Sequence, residues 1–247
     1  MIESIPIYPI PNTGKRLEID VNGERYLRIP VRTHVITAGE DIAEVVDRYT
    51  ALLRQEGDMI FVSERVVAIA QGRAWPIRDI TPSPLAKFLV KFVRRSPHGI
   101  GLGSSWTMEL AIREAGRFRI LCAALVSAIT KPLGIRGVFY RVVGRNINAI
   151  DGPCSYTLPP YNEYAKLGPK NPDKAAEAIR ARTGLSVVII DANDLGVEAL
   201  GRAPQTTARE FCRKVFRDNP LGQSKEQTPI AIVRHDPKLL LDFVSRQ

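Results

Sequence analysis

The sequence predicts a fold that mixes α-helices with β-strands and opens on a β-hairpin. Three observations carry this. Asn22-Gly23 separates two alternating arms, residues 41–55 form an amphipathic stripe, and residues 187–190 are a run of four β-branched apolar side chains. The chain has 247 residues, 45% apolar and 25% charged, which suits a folded domain and suffices for a sizeable core. No stretch is apolar for the length of a bilayer, and no basic start leads into an apolar block. The expectation is therefore a cytoplasmic protein with no membrane partner. Cys122, Cys154 and Cys212 are an odd set without a close pair, which argues against a disulfide framework or a zinc site.

A net charge of +9 favours anionic partners. The basic residues are scattered, however, and the densest cluster is only Lys-Phe-Val-Arg-Arg at 91–95. A nucleic acid is supported by charge alone. A small anionic substrate, a phosphorylated molecule among them, accounts for the balance equally well, and so does a merely solvated basic surface.

The elements follow in order. In the hairpin at 16–31, Asn22-Gly23 supplies the positive φ angles of a type I′ turn. Its two-residue loop sets Asp20 opposite Arg25 and Ile19 opposite Tyr26. The helix at 41–55 places Ile42, Val45, Val46, Tyr49, Leu52 and Leu53 on one stripe, and Gly57 stops it. A strand begins at Met59 and runs toward Ser63-Glu64-Arg65, with apolar Val66 to Ala70 beyond and Gly72-Arg73 closing it. Ser83 caps the next helix with Pro84 in its first position, and the helix stops before Pro97. The run 99–105 lacks the Lys of a phosphate loop, so it reads as a link into a helix at 106–115 capped by Ser104 or Ser105.

Residues 120–129 are almost wholly apolar and fit a buried strand or a buried helix equally, whereas 137–143 reads as a strand. Residues 144–168, rich in Asn, Pro and Tyr, form a long loop that holds Asp151, and long ordered loops often carry function. Asn171 caps a helix that starts with Pro172, turns Ala175, Ala176 and Ile179 inward and ends at Gly184. Thr206 starts a last helix, with Ala208, Phe211, Cys212, Val215 and Phe216 on its inner side. Residues 219–224 break it before a strand at 229–233.

Polarity sets in abruptly after residue 190. Asp191, Asn193 and Asp194 would crowd oxygen ligands at one strand end, which suits a hard divalent cation. The alternative is an Asx turn, since Asp and Asn bond their own backbone. Cys154, three residues after Asp151, has no His motif to make it a nucleophile. His34, His98 and His235 are scattered and read as surface or structural residues. Tyr156, Tyr161 and Tyr164 either line a planar substrate or pack beneath the long loop, and Glu163 is a further carboxylate near Asp151.

Four stretches, in order, resemble the coenzyme F-420-0:L-glutamate ligase (γ-glutamyl ligase) family. They are Thr33-His34-Val35-Ile36 through Val62-Ser63-Glu64-Arg65 to Ala70-Gln71-Gly72-Arg73, then Asn148-Ala149-Ile150-Asp151, then Ile189-Ile190-Asp191-Ala192-Asn193, and finally Leu221-Gly222-Gln223 with 228–234. The resemblance spans 33–234. It implies an α+β fold of mixed sheets with flanking helices, γ-glutamyl ligase-like, behind an N-terminal β-hairpin extension at 1–32. The same reading takes 33–247 as the ligase-like domain, either undivided or as two subdomains meeting near 144–170. It further implies GTP (or ATP) as co-substrate, Mg or Mn as cofactor, and a homodimer.

Position by position, Asp151 and Asp191 match metal carboxylates and Gln223 a further metal ligand. Arg32, Thr33, His34 and Val35 match a segment whose backbone meets the nucleotide. Glu64 and Arg65 match a nucleotide-contacting pair, and Leu221, Gly222, Ser224 and Lys225 belong to the loop around the phosphates. The chain departs from the pattern at Ile69, where the family carries a phosphate-contacting Lys, and in 191–196, where family arginines are missing. A roughly thirty-residue segment that follows in the family is shortened here to 199–205. The resemblance implies a nucleotide- and metal-dependent amide ligase that joins an amino acid, glutamate, to a carboxylate acceptor. The alternative is a non-catalytic nucleotide- and metal-binding relative, which these departures favour.

Overall fold

The computed structural model describes residues 9–93, 100–135, 137–144, 147–193 and 196–235. In chain order these form β1 (Glu18–Val21), β2 (Glu24–Val31), α1 (Ile42–Thr50), β3 (Met59–Ser63), α2 (Glu64–Ala70), β4 (Ala74–Pro76), α3 (Pro84–Leu89), α4 (Ser105–Ala115), α5 (Arg117–Thr130), α6 (Val138–Val143), β5 (Tyr164–Lys166), α7 (Pro172–Thr183), β6 (Ser186–Asn193), β7 (Gly196–Ala203), α8 (Arg209–Val215) and β8 (Ile230–His235). Two compact units divide them. The first joins Met1–Ala70 to Asn171–Gln247, and the second is Gln71–Lys170.

The first unit is built on a six-stranded mixed sheet in the order β1-β2-β8-β3-β6-β7. Only β3 and β6 pair in parallel; every other neighbour is antiparallel. Asn22 and Gly23 both take positive φ, and Asp20 faces Arg25 while Ile19 faces Tyr26, so the leading hairpin has the predicted turn and register. Through β2 it lies in the same sheet as the rest of the unit.

Helices cover both faces, which explains why residues 187–190 are apolar without alternation. Val187 and Ile189 pack with Val46 of α1 and Ile179 of α7, while Val188 and Ile190 pack with Cys212, Val215 and Phe216 on the α8 side. Phe61 of β3 stacks on Phe216 with ring centroids 4.4 Å apart. Beyond Ile189 the β7 strand carries one extra residue, since Ile189 pairs with Gly201 but Ile190 with Ala199. Gly201 is required there because a Cβ would run into the backbone of Pro172 at the start of α7.

The second unit has its own core. Met108, Leu110 and Ile112 of α4 and Ile120 of α5 pack with Ile147, Ile150, Ala165 and Leu167. Ser104 caps α4 in a reciprocal box with Thr107, and Ser83 caps α3 through the backbone of Ala86. β4 pairs with β5, and Arg73 bridges Glu114 at 2.9 Å.

Several expectations are corrected. Val66 to Ala70 continue as helix α2, not as strand, because one side of the turn packs Val67 into the core. Residues 137–143 are helix α6, and 120–129 resolve as part of α5. α1 ends at Thr50, leaving Leu52 87% exposed and off the inner stripe. Asn171 adopts a left-handed conformation and its side chain caps nothing, so the turn, not the amide, starts α7. α8 begins at Arg209 with an exposed Ala208 before it. The loop at 144–168 contains two short 3-10 turns and β5. Asp194, His98, Gly99, Pro97 and the last two arginines of the 91–95 cluster lie outside the described residues.

Two buried cations tie the first unit together. Arg234 donates to both oxygens of Asp58, at 2.9 and 2.8 Å, and to the Leu53 carbonyl. Arg28 reaches Asp218 and the carbonyls of Val215 and Arg16. Burial works to raise the Asp218 pKa, but the Arg28 guanidinium outweighs it and holds the carboxyl below its usual range. Asp58→Ala strands a buried guanidinium and should cost about 3–5 kcal/mol in urea denaturation. Asp218→Asn should narrow stability at neutral pH. Because the folded pKa is lowered, that gap is complete above the ordinary carboxylate range and closes as pH falls through the folded value, which denaturation across an acid pH series reads directly.

Candidate functional site

The ends of four segments meet at one end of the first unit's sheet. Ser63 pairs with Ile190 on the last rung of β3 and β6, so Glu64, the first residue of α2, and Asp191, the next residue of β6, both follow that rung at the same end of the sheet. Ile230 pairs with both Val31 and Val62, so the loop that enters β8 and the segment that leaves β2 share the same end. Of the residues singled out in the sequence, Arg32 to Val35, Glu64, Arg65, Asp191 and 221–225 all lie here.

Hydrogen bonds stitch these segments. The Thr33 amide donates to the Gln227 carbonyl at 3.2 Å, and the Gln227 side-chain amide donates back to the Thr33 carbonyl at 2.6 Å. The Ser63 amide donates to the Pro229 carbonyl at 2.8 Å. Asn219, buried beneath the loop, donates from Nδ2 to the carbonyls of Ala192 at 3.0 Å and Gly222 at 2.9 Å. One amide therefore fastens the 219–222 turn to the end of β6. Asn219, Gly222 and Gln227 all take positive φ, a concentration of unusual backbone within one short loop. The Ser224 amide donates to Glu226 Oε2 at 2.7 Å, and Thr228 Oγ1 donates to the Leu221 carbonyl at 2.9 Å. Leu221 itself is buried in the core on the α8 side, which leaves only its backbone to face a ligand.

His34 is held from both ring nitrogens. Nδ1 meets the Tyr49 hydroxyl at 3.0 Å and Nε2 meets Glu40 Oε2 at 2.6 Å, while the His34 amide donates to the same Tyr49 oxygen at 3.1 Å. Burial works to raise the Glu40 pKa, but hydrogen bonds from Thr37 and His34 outweigh it and lower it. This cluster fixes the backbone of 33–35 on α1. Glu64 is buried, at 6% exposure, in the first turn of α2.

The cluster expected after residue 190 takes another form. β6 runs on through Asn193, which pairs with Gly196 of β7, so Asp191 and Asn193 belong to the strand, while Asp194 lies outside the described residues. Asn193 Nδ2 donates to Asp191 Oδ1 at 3.1 Å. Opposite Asp191 in the ladder stands Glu198, which Arg213 and Arg209 bridge at 2.8 and 3.2 Å. The ladder continues because the apolar residue of β7 opposite Ala192, Val197, still packs on the core.

Asp151 belongs to the second unit. It exchanges both backbone hydrogen bonds with Lys166, at 3.1 and 2.9 Å, and its Oδ1 accepts from the Gly152 amide at 2.9 Å. Lys166 is buried and donates from Nζ to the Ala149 carbonyl at 2.9 Å, which fixes the turn that carries Asp151. Sequence reasoning missed Lys166, Asn219, Tyr49 and Glu40. Only Glu40 had a local signal, its spacing from Thr37. Tyr161 and Tyr164 pack edge to face beneath the loop, and Cys154 donates its amide to Asn162. Burial pushes the Cys212 thiol up to about 11, so that cysteine is inert filling. Ile69, which the resemblance sets against a family Lys, is buried in α2.

Among the described residues no group of three or more His, Cys, Asp or Glu side chains is placed to hold a metal ion. The set implied by the resemblance is of another kind, two carboxylates and a carboxamide, all oxygen donors. That donor chemistry fits a hard divalent cation.

Comparison with known proteins supports the family over most of the resembling span, and residues 221–234 lie beyond the matched region. The family model described as F420-0:Gamma-glutamyl ligase matches residues 30–199, a span that includes Arg32 to Val35, Glu64, Arg65, Asp151 and Asp191. A curated relative, coenzyme F420:L-glutamate ligase of Methanopyrus kandleri, is 26% identical over 147 residues, 60% of this chain and 49% of that protein. The chain thus spans about half the length of the curated relative it matches. With a family model covering more than half of its residues and a mixed α+β architecture to match, this chain belongs to the F420-0:gamma-glutamyl ligase family.

Proposed function

We propose that the protein is an amide ligase that uses a nucleoside triphosphate, GTP or ATP, and Mg²⁺ or Mn²⁺ to join an amino acid, glutamate, to a carboxylate acceptor. The observation that carries the reading is the meeting of 32–35, 64–65, 191 and 221–228 at one end of the sheet, stitched by Asn219 and Gln227. These are the stretches that match the family's nucleotide and metal positions, and they come from four distant parts of the chain.

Amide formation from a carboxylate needs activation. The γ-phosphoryl group moves to an acceptor carboxylate oxygen, which leaves a nucleoside diphosphate and an acyl phosphate. The amino nitrogen then attacks the acyl carbon, phosphate departs and the amine loses a proton. In this scheme the protein mainly positions the partners and neutralises charge. Backbone amides of Thr33 to Val35 and of the Gly222 loop, with Ser224 and Lys225, hold the nucleotide and its phosphates, while Glu64 and Arg65 contact the nucleotide. Asp151, Asp191 and Gln223 would hold the divalent cation, which when bound supplies charge neutralisation at the phosphate oxygens. The family pairing into homodimers belongs to the same reading.

A second reading has one specific observation in its favour. Ile69 occupies the position of the family's phosphate-contacting Lys and is buried in α2, so this chain supplies no charge from that site. In that case the protein binds nucleotide and metal without turnover.

Two measurements test these readings. Asp151→Asn and Asp191→Asn should each weaken Mn²⁺ binding by about tenfold or more in calorimetry, with the circular dichroism spectrum unchanged. Unchanged affinity in both variants would remove the metal assignment. Phosphate release from GTP or ATP should depend on added amino acid and acceptor. Tight nucleotide binding without phosphate release across a broad acceptor panel would favour the non-catalytic reading.

A further inference from the structure

The outer face of α5 is apolar and uncovered. Phe118, Leu121, Leu125 and Ile129 recur at helical spacing along it, and Phe118 is 82%, Leu125 64% and Ile129 61% exposed. Leu133, 71% exposed, continues the stripe past the end of the helix. The opposite side of the same helix points inward through Ile120 and Ala123. α5 therefore carries apolar side chains on two opposite sides, one turned into the core of its unit and the other exposed. A contiguous apolar face of this kind marks an interaction surface.

Its border is cationic. Arg117 and Arg119 stand at about 100° to either side of the Phe118 direction on the helical wheel, and Lys131 and Arg141 follow. Between Glu114 and Asp151 the sequence has no Asp or Glu. The charge is concentrated on the unit that carries α5: residues 71–170 hold 15 Lys and Arg against 5 Asp and Glu, a net +10, so the rest of the chain contributes −1 to the total of +9.

We propose that this face of α5 docks the protein on the surface of an anionic lipid bilayer. An amphipathic helix in the interface plane buries its apolar side at the headgroup boundary and keeps its cations among the anionic headgroups. Charge complementarity selects this occupant. A second copy seated face to face would oppose Arg117, Arg119 and Lys131 to their own equivalents with no carboxylate between them. A nucleic acid offers phosphates but leaves the aliphatic stripe in water. The arrangement lies on a membrane without crossing it, and no helix among the described residues is long and apolar enough to cross one. The expectation of no membrane partner rested on the lack of a spanning stretch, which has no bearing on a surface-bound helix.

The test is co-sedimentation of the purified full chain with phosphatidylcholine vesicles, with and without phosphatidylglycerol. Expected are binding only with the anionic lipid, a bound fraction that falls as salt is added, and a partition coefficient lowered about tenfold or more in Leu125→Glu/Ile129→Glu and in Arg117→Glu/Lys131→Glu. Both pairs are exposed, so thermal unfolding should be unchanged; Leu125→Ser/Ile129→Ser serves if the glutamates unfold α5. Three outcomes overturn the proposal. The first is no binding to anionic vesicles. The second is binding that the Leu125/Ile129 variants leave intact, which reports charge alone. The third is self-association in sedimentation velocity that these variants abolish while vesicles remain unbound, which assigns the face to a second copy.

Discussion

The parallel pairing of β3 with β6 is the constraint on which the first unit depends. Parallel neighbours need a long crossover, and here it comprises α2, the whole of 71–170 and α7. The rung between Ser63 and Ile190 decides where Glu64 and Asp191 stand. It also sends Ile60, Val62, Val187 and Ile189 to one face and Phe61, Val188 and Ile190 to the other. A slip of one residue would exchange these faces and carry Asp191 away from the loop that Asn219 holds. Packing and site geometry thus share one register.

Much of this fold was legible where a local interaction decides the outcome. Asn22-Gly23 needs two positive φ angles, Ser83 precedes a proline, and Ser104 faces Thr107, so each announces its own turn or cap. Legibility failed where tertiary packing overrides preference. Val66, Val67 and the Val-Phe-Tyr of α6 favour strands by side-chain shape, yet they coil because the neighbouring core offers a site to one helical side and not to a ladder. Leu52 fits the helical period of α1, but the chain leaves that helix at Thr50, whose hydroxyl donates back to the Val46 carbonyl at 2.7 Å.

The candidate site was legible as a set of segments and illegible as a set of contacts. Arg32 to Val35, Glu64, Asp191 and 221–225 could be picked out by motif order, but their bonding partners could not. Gln227 reaches Thr33 across 194 positions, and Asn219 reaches Ala192 across 27. No periodicity encodes such side-chain bonds to a distant backbone. Lys166 lies between buried Ala165 and Leu167, so alternation would send it outward to water, whereas the Ala149 carbonyl draws it in.

The position of β8 has a consequence for how the molecule is made. It is the last described strand in sequence, yet it lies between β2 and β3, which touch each other nowhere in the ladder. While the chain emerges from a ribosome, residues 71–170 are complete before β6, β7 or β8 exists, and the hairpin and β3 wait as separate fragments. The unit that starts first is therefore finished last, and its keystone slides into a gap that translation has left open until residues 230–235 arrive.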